Sequence, residues 1–228
     1  PVAPLPEAVV GARGDIEAGR WTVRAGSSKR GEASTDFANR RMVTPVLTDE
    51  TARVIRNHEL THARISPADE FAIEWLESQG VTNRLLHCAE EMRVNAVLKG
   101  MGYDIGLLSD GTEKQSGERA AQDGSIQAWN EAVAFSLALI GSNKAYNAFV
   151  AGVRKHNPEW AAKLKEIKKD ITDFLPTNPR VLGSTEPYEV SYTNGKGEEV
   201  TGTIPEGFIY TSRLAKHAAQ HLRVEEVK

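Results

Sequence analysis

Cysteine is nearly absent: Cys88 is the single one in 228 residues, so no internal disulfide can form, and a reducing compartment such as the cytoplasm is the simpler expectation. Long apolar runs are missing as well. The longest, residues 132–140, is broken by Ser136 and falls far short of the roughly 20 residues that a spanning helix needs, so no membrane partner is expected. Positive charge is not in excess either. The 28 lysines and arginines face 31 acids for a net charge of −3, which leaves no basic field to attract a phosphate backbone, and nucleic acid is not an expected partner. Neither Gly-x-Gly-x-x-Gly nor Gly-x-x-x-x-Gly-Lys occurs, which removes the common phosphate-cradling loops. There is no internal repeat to build a solenoid.

What remains is an ordinary globular composition, 40% hydrophobic and 26% charged. Residues 1–19 read as an extended, proline-containing arm without the basic start of a secretory signal. A strand is expected over residues 20–25, where Trp21 and Val23 alternate with polar residues. Residues 26–36 read as a polar loop, and residues 42–47 as an edge strand because of Pro45. Thr48 or Asp49 can cap a helix to about Ile65. Ser66-Pro67 can start a second to Ser78, and Thr82 a third to about Lys99. The glycine-rich stretch 103–124 predicts a long mobile loop. Three further helices follow over residues 125–140, 142–156 and 158–174. A hairpin turns at Asn194-Gly195-Lys196-Gly197, and a last helix covers about 211–224. The expected fold is α+β, mainly α: the arm, a metal-binding core over 20–124, and a C-terminal helical subdomain with a hairpin over 125–228 that shapes a cleft or binds a protein partner.

The chemically informative segment is His58-Glu59-Leu60-Thr61-His62, in the middle of the first predicted helix. A spacing of four brings both imidazoles to one face, one turn apart, where they can share a divalent ion, with Glu59 at the edge of that face. Two histidines leave tetrahedral zinc short of one protein ligand. In the third helix, Arg84, His87, Glu91 and Asn95 form the one continuous polar stripe on an otherwise apolar surface, so Glu91 is the expected third ligand and Glu90, beside Arg93, the fallback. Asn95 is placed to orient ligands from one turn further on. The pair His217 and His221 repeats the spacing without an intervening glutamate and, flanked by Lys216 and Arg223, reads as a solvated face. Cys88 reads as a core thiol.

The HExxH pentapeptide followed by Ala89-Glu90-Glu91-Met92-Arg93-Val94-Asn95 resembles the zincin metallopeptidases of the gluzincin type. It is most similar to the metallopeptidase domains found beside von Willebrand factor A-like domains and in phage genomes. The resemblance covers about residues 48–102, and no Asp-x-Ser-x-Ser motif follows. It implies a zincin-like fold with a small antiparallel sheet, Zn2+ on His58, His62 and Glu91, and a second-layer role for Asn95. It also implies hydrolysis of a protein or peptide substrate by a zinc-activated water, with Glu59 as general base. An oxyanion stabiliser is then needed, for which His87, Tyr103 and Tyr210 are candidates. Residues 20–25 or 42–47 are expected to pair with an extended substrate. Two other readings stay open: a binding or assembly module with structural metal or none, and a metal-dependent hydrolase of a non-peptide amide. Retention of Glu59 favours an enzyme, because zinc binding alone does not require it.

Overall fold

A computed structural model of the chain describes residues 21–26, 33–36, 39–67, 69–109, 112–122 and 128–223. The expected N-terminal arm, the residue 20 end of the first strand, the helix start at Ser125 and the end of the last helix lie outside them. The chain is mainly helical with two small sheets. Strands β1 (Thr22–Ala25), β2 (Ser34–Asp36) and β3 (Arg41–Thr44) form a sheet in the order β1-β3-β2. This sheet is mixed rather than purely antiparallel, since β1 runs parallel to β3 and only β2 opposes it. Residues 42–47 were expected to supply an edge, but β3 is the central strand, and β2 arises within the stretch read as a polar loop. Val23 and Met42 point to the same face and pack on Leu60 of the next helix.

That helix, α1 (Glu50–Ile65), starts where Asp49 accepts a hydrogen bond from the Ala52 amide at 3.2 Å. Helix α2 (Glu70–Glu77) begins later than Ser66-Pro67 suggested, because Asp69 is its cap; Ser66 instead closes α1, its amide donating to the His62 carbonyl at 2.9 Å. Helix α3 (Asn83–Gly100) is capped by Thr82, as its sequence indicates, and the chain leaves it through Gly102 at φ +94°.

Residues 103–124 are not the open loop that their glycines suggested. They hold a 3-10 turn (Ile105–Leu108) and helix α4 (Glu113–Ala120), nucleated by a capping box between Thr112 and Gln115. Helices α5 (Trp129–Leu139), α6 (Asn143–Arg154) and α7 (Pro158–Phe174) follow. Then come a single turn α8 (Pro179–Leu182), the antiparallel hairpin of β4 (Pro187–Thr193) and β5 (Glu199–Pro205), and α9 (Ile209–Ala219). Among the described residues, no helix is long and apolar enough to cross a membrane.

Helix α3 is central, packed by α1, α5, α8 and α9. The main apolar cluster joins Leu85 and Met92 of α3 to Val133, Phe149, Leu164 and Leu214 from the later helices. Each such side chain, fully buried, contributes about 1.5–3 kcal/mol. A smaller cluster of Ile65, Val94, Val97 and Leu182 presses α1 against α3 and so sets the distance between the histidine helix and the glutamate helix.

Candidate metal centre

The structure brings His58, His62 and Glu91 together. The Nε2 atoms of His58 and His62 lie 3.3 and 3.2 Å from the two carboxylate oxygens of Glu91. Among the described residues this is the one group of histidine, cysteine and acidic side chains whose donor atoms all lie within 4.8 Å of one another. The helix geometry explains it: one turn separates the histidines on α1, and the polar stripe of α3 carries Glu91 against them.

The outer nitrogens of both rings are also occupied. His58 Nδ1 meets Asn95 Oδ1 at 3.1 Å, and His62 Nδ1 meets Ser66 Oγ at 3.3 Å. An amide oxygen can only accept, so His58 Nδ1 carries the proton. The Ser66 hydroxyl donates to Glu90 Oε1, so towards His62 its oxygen accepts as well. With Nδ1 of each ring turned to an acceptor, it is Nε2 that faces the Glu91 carboxylate, and a proton or a cation must lie between nitrogen and anion. Without an ion the protons compensate: burial depresses the His58 pKa but Glu91 outweighs it and raises it above 6.5, and burial raises Glu91 but the two imidazoles pull it well below the carboxylate range. Two nitrogens and one carboxylate are a donor set that suits zinc. The residues fit that metal.

Glu59 sits about 100° around α1 from His58. It is 8% exposed, and its Oε2 accepts a hydrogen bond from Thr35 Oγ1 on β2. Thr35 carried no signal in the sequence, because nothing local marks a threonine that a distant strand delivers to a helix.

Glu90, the fallback ligand, faces another way. It accepts from Arg93 at 2.6 and 2.8 Å, from Ser66 and from Thr211 of α9. Arg93 is fully buried and also donates to the carbonyls of Ile65 at 3.1 Å and Leu182 at 2.7 Å. Burial would raise the Glu90 pKa, but the Arg93 guanidinium outweighs it and holds the carboxyl below its usual value. Glu90 thus supports His62 through Ser66 and ties α1, α3, α8 and α9 together. The i, i+3 spacing of Glu90 and Arg93 was a legible signal; the roles of Ser66 and Thr211 were not.

Each oxyanion candidate has neighbours of its own. His87 is exposed and lines a cavity of about 230 Å3 with Leu86, Ile73 and Phe208. Tyr103 lies under Arg53, whose guanidinium is 5.5 Å from the ring centre, more than a turn before His58. Tyr210 packs on the Ile65 and Val97 cluster, with Arg213 at 5.4 Å over its ring. Cys88 is buried, and burial pushes its thiol up to about 11, which suits a core position and not a nucleophile. Compared with models of protein families, with curated proteins and with solved structures, the chain matches none.

Proposed function

We propose that this chain is a zinc-dependent peptidase, related to the zincins, in which His58, His62 and Glu91 hold the metal and Glu59 is the general base. The observation that supports it is the convergence of both Nε2 atoms on the Glu91 carboxylate, each ring fixed from behind by Asn95 or Ser66. When bound, zinc supplies Lewis acidity, lowering the pKa of a coordinated water towards 7 and polarising a carbonyl oxygen.

The chain's own groups do the rest. Thr35 occupies Glu59 Oε2 and orients the carboxylate, leaving Oε1 to take a proton from the attacking water and to return it to the leaving amine. Among the described residues β2 is an edge of its sheet, with Thr35 at its centre, so an extended peptide adding to that edge is held in register beside Glu59. Residues 42–47 supply the central strand β3, so of the two segments expected to pair with substrate only 20–25 keeps an edge, as β1, while β2 is the edge that carries Thr35.

Elemental analysis of protein purified without chelators, together with Glu59→Gln, tests this reading. One tightly held zinc per chain and cleavage of peptide substrates at amide bonds, read by mass spectrometry, are expected. In Glu59→Gln, turnover drops by about 100 to 10,000-fold with the metal retained, because the amide keeps the shape but cannot accept the proton. Absence of stoichiometric tightly bound metal in the unaltered protein overturns the proposal.

A further inference from the structure

A cavity of about 500 Å3 lies where α3, the 3-10 turn, the end of α5, the start of α6 and the end of α7 meet. Its walls are largely apolar, with Met92, Ile105, Ile140, Leu175 and Leu182 among them. Asn95 lines it too, and Asn95 meets Nδ1 of His58, the ring nitrogen turned away from Glu91. The cavity therefore adjoins the candidate metal centre from behind.

No aspartate or glutamate lines this cavity, but two lysines do, Lys99 of α3 and Lys168 of α7. Neither has an acidic partner among the described residues: Lys168 donates to the Asn143 side-chain oxygen at 2.7 Å and lies 4.7 Å from the centre of the Tyr146 ring. Their chain neighbours behave otherwise. Lys169 is held by Asp173 at 2.5 Å, and Lys144, next to Asn143, by Glu113 at 3.4 Å. Burial pushes Lys168 below the ordinary lysine value, and no anion offsets it. Gly141 and Asn143, at the start of α6, also border the cavity, so the amide end of a helix of 12 residues adds to its positive potential.

Size, walls and charge together describe an occupant. Small-molecule sites are concave, mostly apolar, carry a few placed polar groups and span roughly 300–1,000 Å3, a description this cavity meets. A phosphate would strand several acceptor oxygens against apolar walls and finds no arginine fork here, whereas a carboxylate has only two oxygens to place. We propose that the cavity binds a small carboxylic acid with an apolar body, its carboxylate held by Lys99 and Lys168 and its hydrocarbon part lying against Ile105, Ile140 and Leu175. The ligand is a free acid rather than the end of a peptide chain, because the cavity meets His58 on its Nδ1 side, away from the Glu91 carboxylate.

Calorimetric titration of the purified protein with octanoate, with octanol as its uncharged analogue and acetyl-leucyl-leucine as a chain-end analogue, tests this without reference to metal or to peptidase activity, so that either reading can fail alone. Octanoate should bind at one site per chain and roughly tenfold more tightly than octanol, the gain that charge-assisted contacts in a half-exposed site provide. In the double variant Lys99→Gln, Lys168→Gln that preference should vanish while octanol binding is kept. Ala138→Leu, which adds bulk to the apolar wall and leaves both lysines in place, should weaken octanoate and octanol alike, and it covers the case in which the lysine variant does not fold. No binding of octanoate at millimolar concentration, equal affinity for octanol, tighter binding of acetyl-leucyl-leucine, or displacement of octanoate by an equal concentration of inorganic phosphate overturns the proposal.

Discussion

Glu90 and Glu91 are adjacent in sequence and opposite in role, and the difference is one of direction around a helix. Glu91 turns to the histidines and keeps 29% of its side chain exposed, whereas Glu90 turns inward to Arg93, whose side chain is fully enclosed. Removing each should fail in a different way. Glu91→Ala leaves two histidines, so zinc is lost on dialysis while the fold and its melting temperature are largely kept. Glu90→Ala leaves the Arg93 guanidinium buried without its anion, which costs about 3–5 kcal/mol. In a chain of this length that corresponds to a fall in Tm on the order of 10 °C. The loss of Glu90 is therefore read first in calorimetry. Equal Tm values for the two variants would show that the Arg93 pair carries no such burden.

At the scale of elements, the position of α4 turns on a single glycine. A Cβ built on Gly117 would lie 2.0 Å from the Ala145 carbonyl oxygen and 2.9 Å from the Phe149 nitrogen, both backbone atoms of α6 that cannot move aside as a side chain can. Gly117 is therefore what lets α4 lie against α6, and the same residue is what made the segment look like a loop. Gly117→Ala should force the helices apart at a cost of about 1–3 kcal/mol or more, measured as a lower denaturation midpoint, while metal content stays unchanged because α4 carries no ligand. Unchanged stability would mean that α4 is not seated on α6 in solution. The Thr112 and Gln115 capping box that starts α4 is a local sequence pattern, set among glycines that point instead to a loop.

Across the whole molecule, alkaline stability depends on Tyr146, which is 1% exposed and links α6 to α5 and α7: its hydroxyl lies 2.7 Å from Ser136 Oγ and donates to the Leu164 carbonyl at 2.5 Å. Burial pushes its pKa up to about 12 from 10. A folded value above the unfolded one means that the stabilisation is fully present below pH 10 and is lost as pH rises towards 12. Two units correspond to about 3 kcal/mol. Denaturation midpoints between pH 9 and pH 12 should fall for the unaltered chain, and Tyr146→Phe should flatten that slope while lowering stability at neutral pH. An unchanged slope in the variant would place the titrating group elsewhere. The sequence by itself determined the helices α1, α3, α6 and α7, the hairpin, and the choice of His58, His62 and Glu91, because caps, prolines and a 3.6-residue period act within a few neighbouring positions. Only the tertiary structure decided that Thr35 meets Glu59, that Ser66 and Glu90 stand behind His62, that Asp170 joins His217 to His221, and that β2 rather than β3 is the edge. Each of these pairs residues far apart in the chain, and their contact is set by how α1, α3, α7 and α9 pack, a property that no local pattern carries.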